Sequence, residues 1–221
     1  MATKVAGDLY ESITGQLFEI GRQLRQQNGY PFNPEELKRH LQSAIEGRFF
    51  FDDSKKLLLT KLFDPAKFLD KGWTTWKGPS DGDGLSGDED VDPRSLAFSE
   101  IEVGKFLFET CLEEGEKRIA GEEKFRRLKE RPDFIRFGGN VFLALWEDYQ
   151  ANKKSSILEW LYQTQKVSFM DFFGTILRGP HGSRIVLYLC RCDGGRWRWS
   201  SGWLGHVWAA CYPSVGCASQ P

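Results

Sequence analysis

Six acids, Asp81, Asp83, Asp88, Glu89, Asp90 and Asp92, crowd into the glycine-rich stretch GPSDGDGLSGDEDVDPRS over 78–95. A calcium ion collects about six to eight oxygens, typically from carboxylates at alternating positions followed by a turn-making glycine and a bidentate acid twelve residues into the loop. Two registers approach that pattern and neither completes it. Counted from Asp81, the fifth and sixth positions are Leu85 and Ser86; counted from Asp88, Pro93 takes the glycine's place and Glu100 arrives one residue late. The stretch is therefore no EF-hand. It presents two alternatives: a solvated acidic loop, or carboxylates folded around a cation, because so many like charges repel unless hydrated or neutralised. In the second case the bound calcium would polarise an ester or lactone carbonyl and activate a water, which makes a metal-dependent hydrolase one functional candidate.

The tract Arg196-Trp197-Arg198-Trp199 alternates cation and ring, the chemistry with which single-stranded nucleic acid is held, bases on rings and phosphates on guanidiniums. On a strand, however, the period of two sends Trp197 and Trp199 to one face and Arg196 and Arg198 to the other. Inward rings and solvated arginines then account for the pattern, because a stacking platform needs both on one face. Cys190, Cys192, Cys211 and Cys217, with His206 as a substitute ligand, raise zinc, but C-x-C in a strand is not the spaced knuckle that structural zinc uses, and free thiols are the expectation. No G-x-S-x-G elbow, supported Cys/His pair or P-loop occurs; His181 and Ser183 share a turn, and His40 falls on a helix edge.

The elements that must position these groups are legible in part. Leu9, Ile13, Leu17, Ile20 and Leu24 recur at helical spacing behind a capping-box pair, Asp8 and Glu11. Asn33, Pro34 and Glu36 open a second helix with Leu37, Leu41, Ala44 and Ile45 on its apolar face. KKLLLTKLF fits helix or strand, DPAKFL one helical turn, and WTTWKG a strand whose partner is SLAFSEIEV. GEEKFRRLKE is helical with Glu122 and Glu123 set against Arg126 and Arg127, and Asn140 opens a helix burying Val141, Leu145 and Trp146. FFGTILRG, SRIVLYLCRC, RWRWSS and WLGHVWAACY, punctuated by PHG, DGG and SG, predict an antiparallel meander of about four strands.

The fold class expected is thus α+β: a helical hairpin over 1–50, a mixed α/β centre over 51–165 carrying the acidic loop, and a Trp-rich antiparallel β-meander over 166–221. A chain of 221 residues with 40% hydrophobic residues can bury one sizeable core. The net charge of -1 hides acids concentrated between Asp81 and Glu116, and arginines (Arg178, Arg184, Arg191, Arg196, Arg198) concentrated after Lys166. No apolar run approaches a membrane span and the start has no signal-like segment, so the expected place is the cytoplasm, where five free cysteines are at home.

The tracts LYESITGQLFEIGRQLRQQNGYPFNPEELKRHLQSAIEGRF, GPSDGDGLSGDEDVDPRSLAFSEIE, FFGTILR, RIVLYL and GWLG together resemble a group of uncharacterised proteins in the genomes of uncultivated, metagenomically sampled bacteria. The resemblance covers most of the length and implies a bacterial source. With no activity assigned to that group, it implies no catalytic or binding residue. The end of the chain, AACYPSVGCASQP, departs from the group beyond YPS. With no catalytic constellation in view, the leading expectation is a non-enzymatic interaction module acting through protein contacts of Trp197, Trp199, Trp203 and Trp208. The calcium-dependent hydrolase is its rival and a single-stranded nucleic-acid binder the third candidate.

Overall fold

The computed structural model describes residues 7–25, 37, 38, 41, 42, 45 and 55–219. The chain divides into two units, Met1–Phe50 and Phe51–Pro221. In the first, Asp8–Gln23 (α1) is helical as its periodicity predicts, with Gly7 rather than Asp8 at the N-cap position. Ile13, Leu17 and Leu24 of the predicted apolar stripe are exposed. The hairpin's second helix falls largely outside the described residues, and His40 with it.

The second unit is α+β, as expected. Lys56–Leu58 (β1) pairs with Glu100–Glu102 (β3), burying Leu57 against Ile101. Pro65–Phe68 (α2) is the predicted turn of helix; Asp64 caps it by accepting from the Ala66 and Lys67 amides, and Pro65 needs no partner at the first position. The partner predicted for WTTWKG is wrong: Thr74–Thr75 (β2) pairs with Leu177–Arg178 (β8), while of SLAFSEIEV the first two residues end the helical turn Pro93–Leu96 (α3) and the strand is β3, which pairs with β1. The strand signal was real, but pairing is a long-range decision. Phe106–Glu109 (β4) and Arg118–Ala120 (β5) precede Gly121–Lys129 (α4), and Phe134–Arg136 (β6) precedes Gly139–Asn152 (α5) and Ile157–Gln165 (α6). Ser156 caps α6 through the Glu159 amide at 3.2 Å.

Phe169–Asp171 (β7), Arg184–Arg191 (β9), Trp197–Trp203 (β10), Val207–Ala209 (β11) and Ser214–Ala218 (β12) complete the strand run, Trp residues included. β9 and β10 form the predicted hairpin, turning through Gly195 at φ 70°, a left-handed conformation open to glycine. The SG expected to break the run, Ser201 and Gly202, lies inside β10. The order is not sequential: an eight-stranded sheet runs β2-β8-β9-β7-β12-β4, with β10 on the other edge of β9 and β6 also on β12. Strands before and after residue 166 therefore share one sheet.

The centre of that sheet includes β12, whose Gly216 faces Leu107 on one side and Arg136 on the other. A Cβ there would come within 2.3 Å of the Ile135 carbonyl, so no larger residue fits without moving β6. Alternation along β9 sets the layers. Leu187 and Leu189 enter a core with Val141, Phe142 and Leu145 of α5 and Leu158 and Leu161 of α6, whereas Val186 enters a second core with Phe125 and Leu128 of α4, Phe173 and Trp208. Each fully buried side chain of this kind contributes roughly 1.5–3 kcal/mol.

Candidate functional site

The acidic loop wraps the buried Trp76, whose indole Nε1 donates to the Pro79 carbonyl at 3.0 Å. Its acids part company. Asp81, Asp83, Asp88 and Glu89 are exposed; Asp83 accepts from the Leu85 amide at 2.9 Å, and Glu89 lies 3.8 Å from Lys77 Nζ. Asp90 and Asp92 turn inward to cations. Asp90 accepts from Lys129 Nζ at 3.2 Å and from Arg184 at 3.1 Å. Asp92 caps α3, binds Arg94 through both oxygens at 3.0 and 2.8 Å, and receives the Arg136 amide at 3.1 Å. Of the two alternatives for the loop, convergence of the six carboxylates on one cation is not found: among the described residues no group of three or more His, Cys, Asp or Glu is placed to hold a metal ion. Two acids have their counter-charges already, and four stand in water. Changing Asp81, Asp83 and Asp88 together to Asn should accordingly shift stability by no more than about 0.5 kcal/mol, and calcium should leave the melting temperature of either protein where it was. A calcium-induced rise confined to the parent in differential scanning calorimetry would restore the cation site.

The inward acids serve an internal network. Phe125 and Phe173 stack at 5.9 Å; Lys129, Arg136 and Arg184 lie 4.9, 5.2 and 5.6 Å from the Phe125 ring, and Lys124 lies 5.2 Å from the Phe173 ring. Glu122, expected to face Arg126, instead accepts from Arg184 Nε at 2.9 Å, while Glu123 meets both Arg126 and Arg127. This cluster braces the fold and meets most of its charges internally, but Nη1 of Arg184 is buried without a hydrogen-bond partner, and Asp90, Glu122, Phe125, Lys129 and Arg184 line a cleft of about 560 Å³.

The four tryptophans do not form a surface. Trp197 is 2% exposed and Trp208 5%, Trp199 packs on Phe68 at 5.1 Å, and Trp203 alone stands half exposed, edge-on to His206. The expected Trp-built contact face is therefore corrected, for the reason that strand alternation gives: Trp197 and Trp199 follow Leu187 and Leu189 into the core. Arg196 and Arg198 are exposed on the opposite face, as predicted.

That opposite face carries rings from neighbouring strands. Arg198 sits across from Cys190, and Cys190 across from Phe169, so β10, β9 and β7 set cation, thiol and phenyl in one row. Two residues along β9 is Tyr188, stacked on Phe169 at 4.9 Å and 28°. Tyr212 also packs on Phe169, tilted 59° at 4.6 Å, and is itself exposed. Beneath the patch, Lys124 Nζ donates to the Tyr212 carbonyl at 2.7 Å and to Asp171 at 2.9 Å, fixing the ring's backbone. Phe169, Tyr188 and Tyr212 were not singled out from the sequence. The signal available was parity: Tyr188, Cys190 and Cys192 share one parity along β9, and the hairpin register sets Arg198 opposite Cys190.

The remaining candidates stay apart. All five cysteines are free. Cys211 is exposed, and burial pushes the Cys217 thiol up to about 11, away from Cys190 and Cys192 on a different strand. His181 is exposed in the turn after β8, with Ser183 partly covered nearby. A cleft of about 920 Å³ opens between Phe98, Ile101, Leu107, Ile135 and Cys217; its charged rim is already paired, Glu100 with Lys56, Glu102 with Lys105 and Arg94 with Asp92. No helix among the described residues is long and apolar enough to cross a membrane. Comparison of the chain with protein-family models, curated proteins and solved structures finds no match.

Proposed function

We propose that the protein is a non-enzymatic binding module whose working surface is the outward face of β7, β9 and β10, and that this face takes single-stranded nucleic acid. The observation that carries the reading is register: the Arg198, Cys190 and Phe169 row, flanked by Tyr188, Tyr212 and Arg196, brings guanidiniums and ring faces to the same side of one sheet. Bases stack on any ring face without regard to sequence, and phosphates meet the arginines. The ring offered to a base is that of the exposed Tyr212, backed by Phe169 and Tyr188, and not those of the tryptophans.

The test is fluorescence anisotropy with a mixed-sequence single-stranded oligonucleotide. Binding at low ionic strength should weaken as salt rises, and changing Arg196 and Arg198 together to Gln should reduce the salt slope by about 1.4, at roughly 0.7 per phosphate contact on a single strand. Tyr212→Ala should cost about 1–3 kcal/mol, a loss of roughly 5- to 150-fold. Trp203→Ala, on the other face, should leave affinity unchanged. Absence of binding at low ionic strength overturns the nucleic-acid reading, and a protein partner for the same face is then the reading to pursue by crosslinking from Tyr212.

A further inference from the structure

The eight-stranded sheet ends at β4, which among the described residues pairs with β12 alone. Register determines which of its backbone groups are left over. The Phe137 amide donates to the Val215 carbonyl at 3.1 Å and the Ser219 amide to the Asp133 carbonyl at 2.8 Å, so Val215 and Cys217 turn their backbone groups toward β6. Ser214 and Gly216 therefore turn theirs toward β4, where they meet Glu109 and Leu107. The backbone groups of Phe106 and Phe108 point the other way. Phe106 gives its amide back to the Val103 carbonyl; among the described residues its own carbonyl, and both backbone groups of Phe108, have no backbone partner. Such an edge is a template for a further strand unless charge, proline or a bulge blunts it. Phe106–Phe108 carries no charge and no proline, and Leu107 is 45% exposed.

We propose that this edge takes a second copy of the chain, strand to strand and antiparallel, about a dyad at Leu107. Charge selects that occupant. Lys105, Leu107 and Glu109 share one parity, and in an antiparallel self-pairing centred on Leu107 they meet Glu109, Leu107 and Lys105 of the second copy. A parallel pairing would set like charges side by side. Across the dyad the free Phe108 amide donates to the free Phe106 carbonyl, once in each direction, and the two Leu107 side chains cover each other. Within one copy Lys105 and Glu109 meet Glu102 and Arg131 at 3.0 and 3.2 Å, in partly exposed pairs whose exchange costs little. The other edges lack this symmetry: β2 has two residues, and β10 has a single charge, Arg198, with its Trp197 amide already donating to the Tyr149 hydroxyl at 3.2 Å. So short a strand buries little area, which makes the association weak and concentration-dependent. Glu109, Ser214, Asp171 and Tyr188 lie side by side across β4, β12, β7 and β9, so two copies joined at β4 carry both ring patches on one side of a continuous sheet. The joint itself does not depend on what those patches bind.

The experiment is sedimentation equilibrium of the full chain over a wide range of protein concentration. The weight-average mass should climb from one chain toward two. Lys105→Glu and Glu109→Lys should each weaken the association by roughly 10- to 100-fold, because two attractive cross-strand pairs become repulsive. Mixed in equal amounts, these two variants should associate with each other as strongly as the parent does with itself, since each supplies the charge that the other has lost. Leu107→Lys, which sets two ammonium groups face to face on the dyad, should leave a single chain. Circular dichroism on each variant separates a lost contact from a lost fold. Arg196 and Arg198 changed together to Gln should associate like the parent even while oligonucleotide binding weakens, so the two proposals fail separately. A chain that stays single at every concentration overturns the joint. So does a dimer that the three folded variants leave intact, or a mixture of the two charge variants that associates no more tightly than either alone.

Discussion

Asp92→Ala should lower the unfolding free energy by about 3–5 kcal/mol, the cost of leaving a buried cation without its partner. Asp92 is 1% exposed, and Arg136, whose side chain is 8% exposed, lies 3.4 Å from it with its guanidinium against the Phe125 ring. The same change removes the cap of α3 and both oxygens that hold Arg94. Asp92→Asn keeps the shape and part of the cap, so it should fall between the parent and Ala; Asp88→Asn, on the exposed side of the same loop, should fall on the parent. The pH dependence has a definite sign. Burial acts to raise the Asp92 carboxyl, but the hydrogen bond from Arg94 and the charge of Arg136 outweigh it and hold the group below its usual 3.8. A depressed folded value means that the stabilisation is present above 3.8 and is lost as pH falls through the folded value. Urea melts should therefore show parent and Ala variant far apart at neutral pH and converging in strong acid. A gap that stays constant into acid would mean that packing, not charge, sets the cost.

Lys124→Met should cost a similar amount, about 3–5 kcal/mol, because Asp171 would keep a charge with nothing to meet it. Both side chains are fully buried, and the bond between them is 2.9 Å. The second oxygen of Asp171 is buried without a hydrogen-bond partner, and so is the Ser214 hydroxyl. Burial pushes the Asp171 carboxyl above 3.8 against the opposing pull of Lys124. A raised folded value contributes stability fully below 3.8 and loses it as pH rises through the folded value. Without the ammonium the carboxyl rises further, so the deficit of Lys124→Met should be smallest in acid and widen toward neutrality, the same direction as in the Asp92 series but displaced to higher pH, because the folded value of Asp171 is raised and that of Asp92 depressed. Adding Asp171→Leu should recover most of the loss, since a buried pair exchanged for apolar groups is often neutral or better. The pair also fixes the Tyr212 carbonyl, so Lys124→Met should weaken oligonucleotide binding even where the protein remains folded. Recovery of stability without recovery of binding in the double variant is the expected split.

These contrasts mark where local sequence stopped being informative. Helix α1, the turn at Pro65, helix α4 and the β9–β10 hairpin were legible because their causes are local: helical spacing of apolar residues, an Asp before a Pro, i to i+4 charge pairs, and a DGG turn between alternating runs. Strand parity alone placed Trp197 and Trp199 inward and Arg196 and Arg198 outward. Parity could not say what lies beside those arginines, because Phe169 and Tyr188 reach them only through the pairing of β7 with β9 and of β9 with β10, and Tyr212 only through the return of the chain into β12. The acidic loop shows the same limit. From sequence its six carboxylates are equivalent neighbours; Asp90 and Asp92 were separated from the other four by Lys129, Arg184 and Arg136, residues brought to them by α4, β9 and β6. β12 itself carried little signal, with a glycine at its centre and only five residues, yet it holds β4, β6 and β7 together. Periodicity determines which side of its own element a residue occupies; only tertiary pairing determines its neighbours, and binding chemistry depends on neighbours.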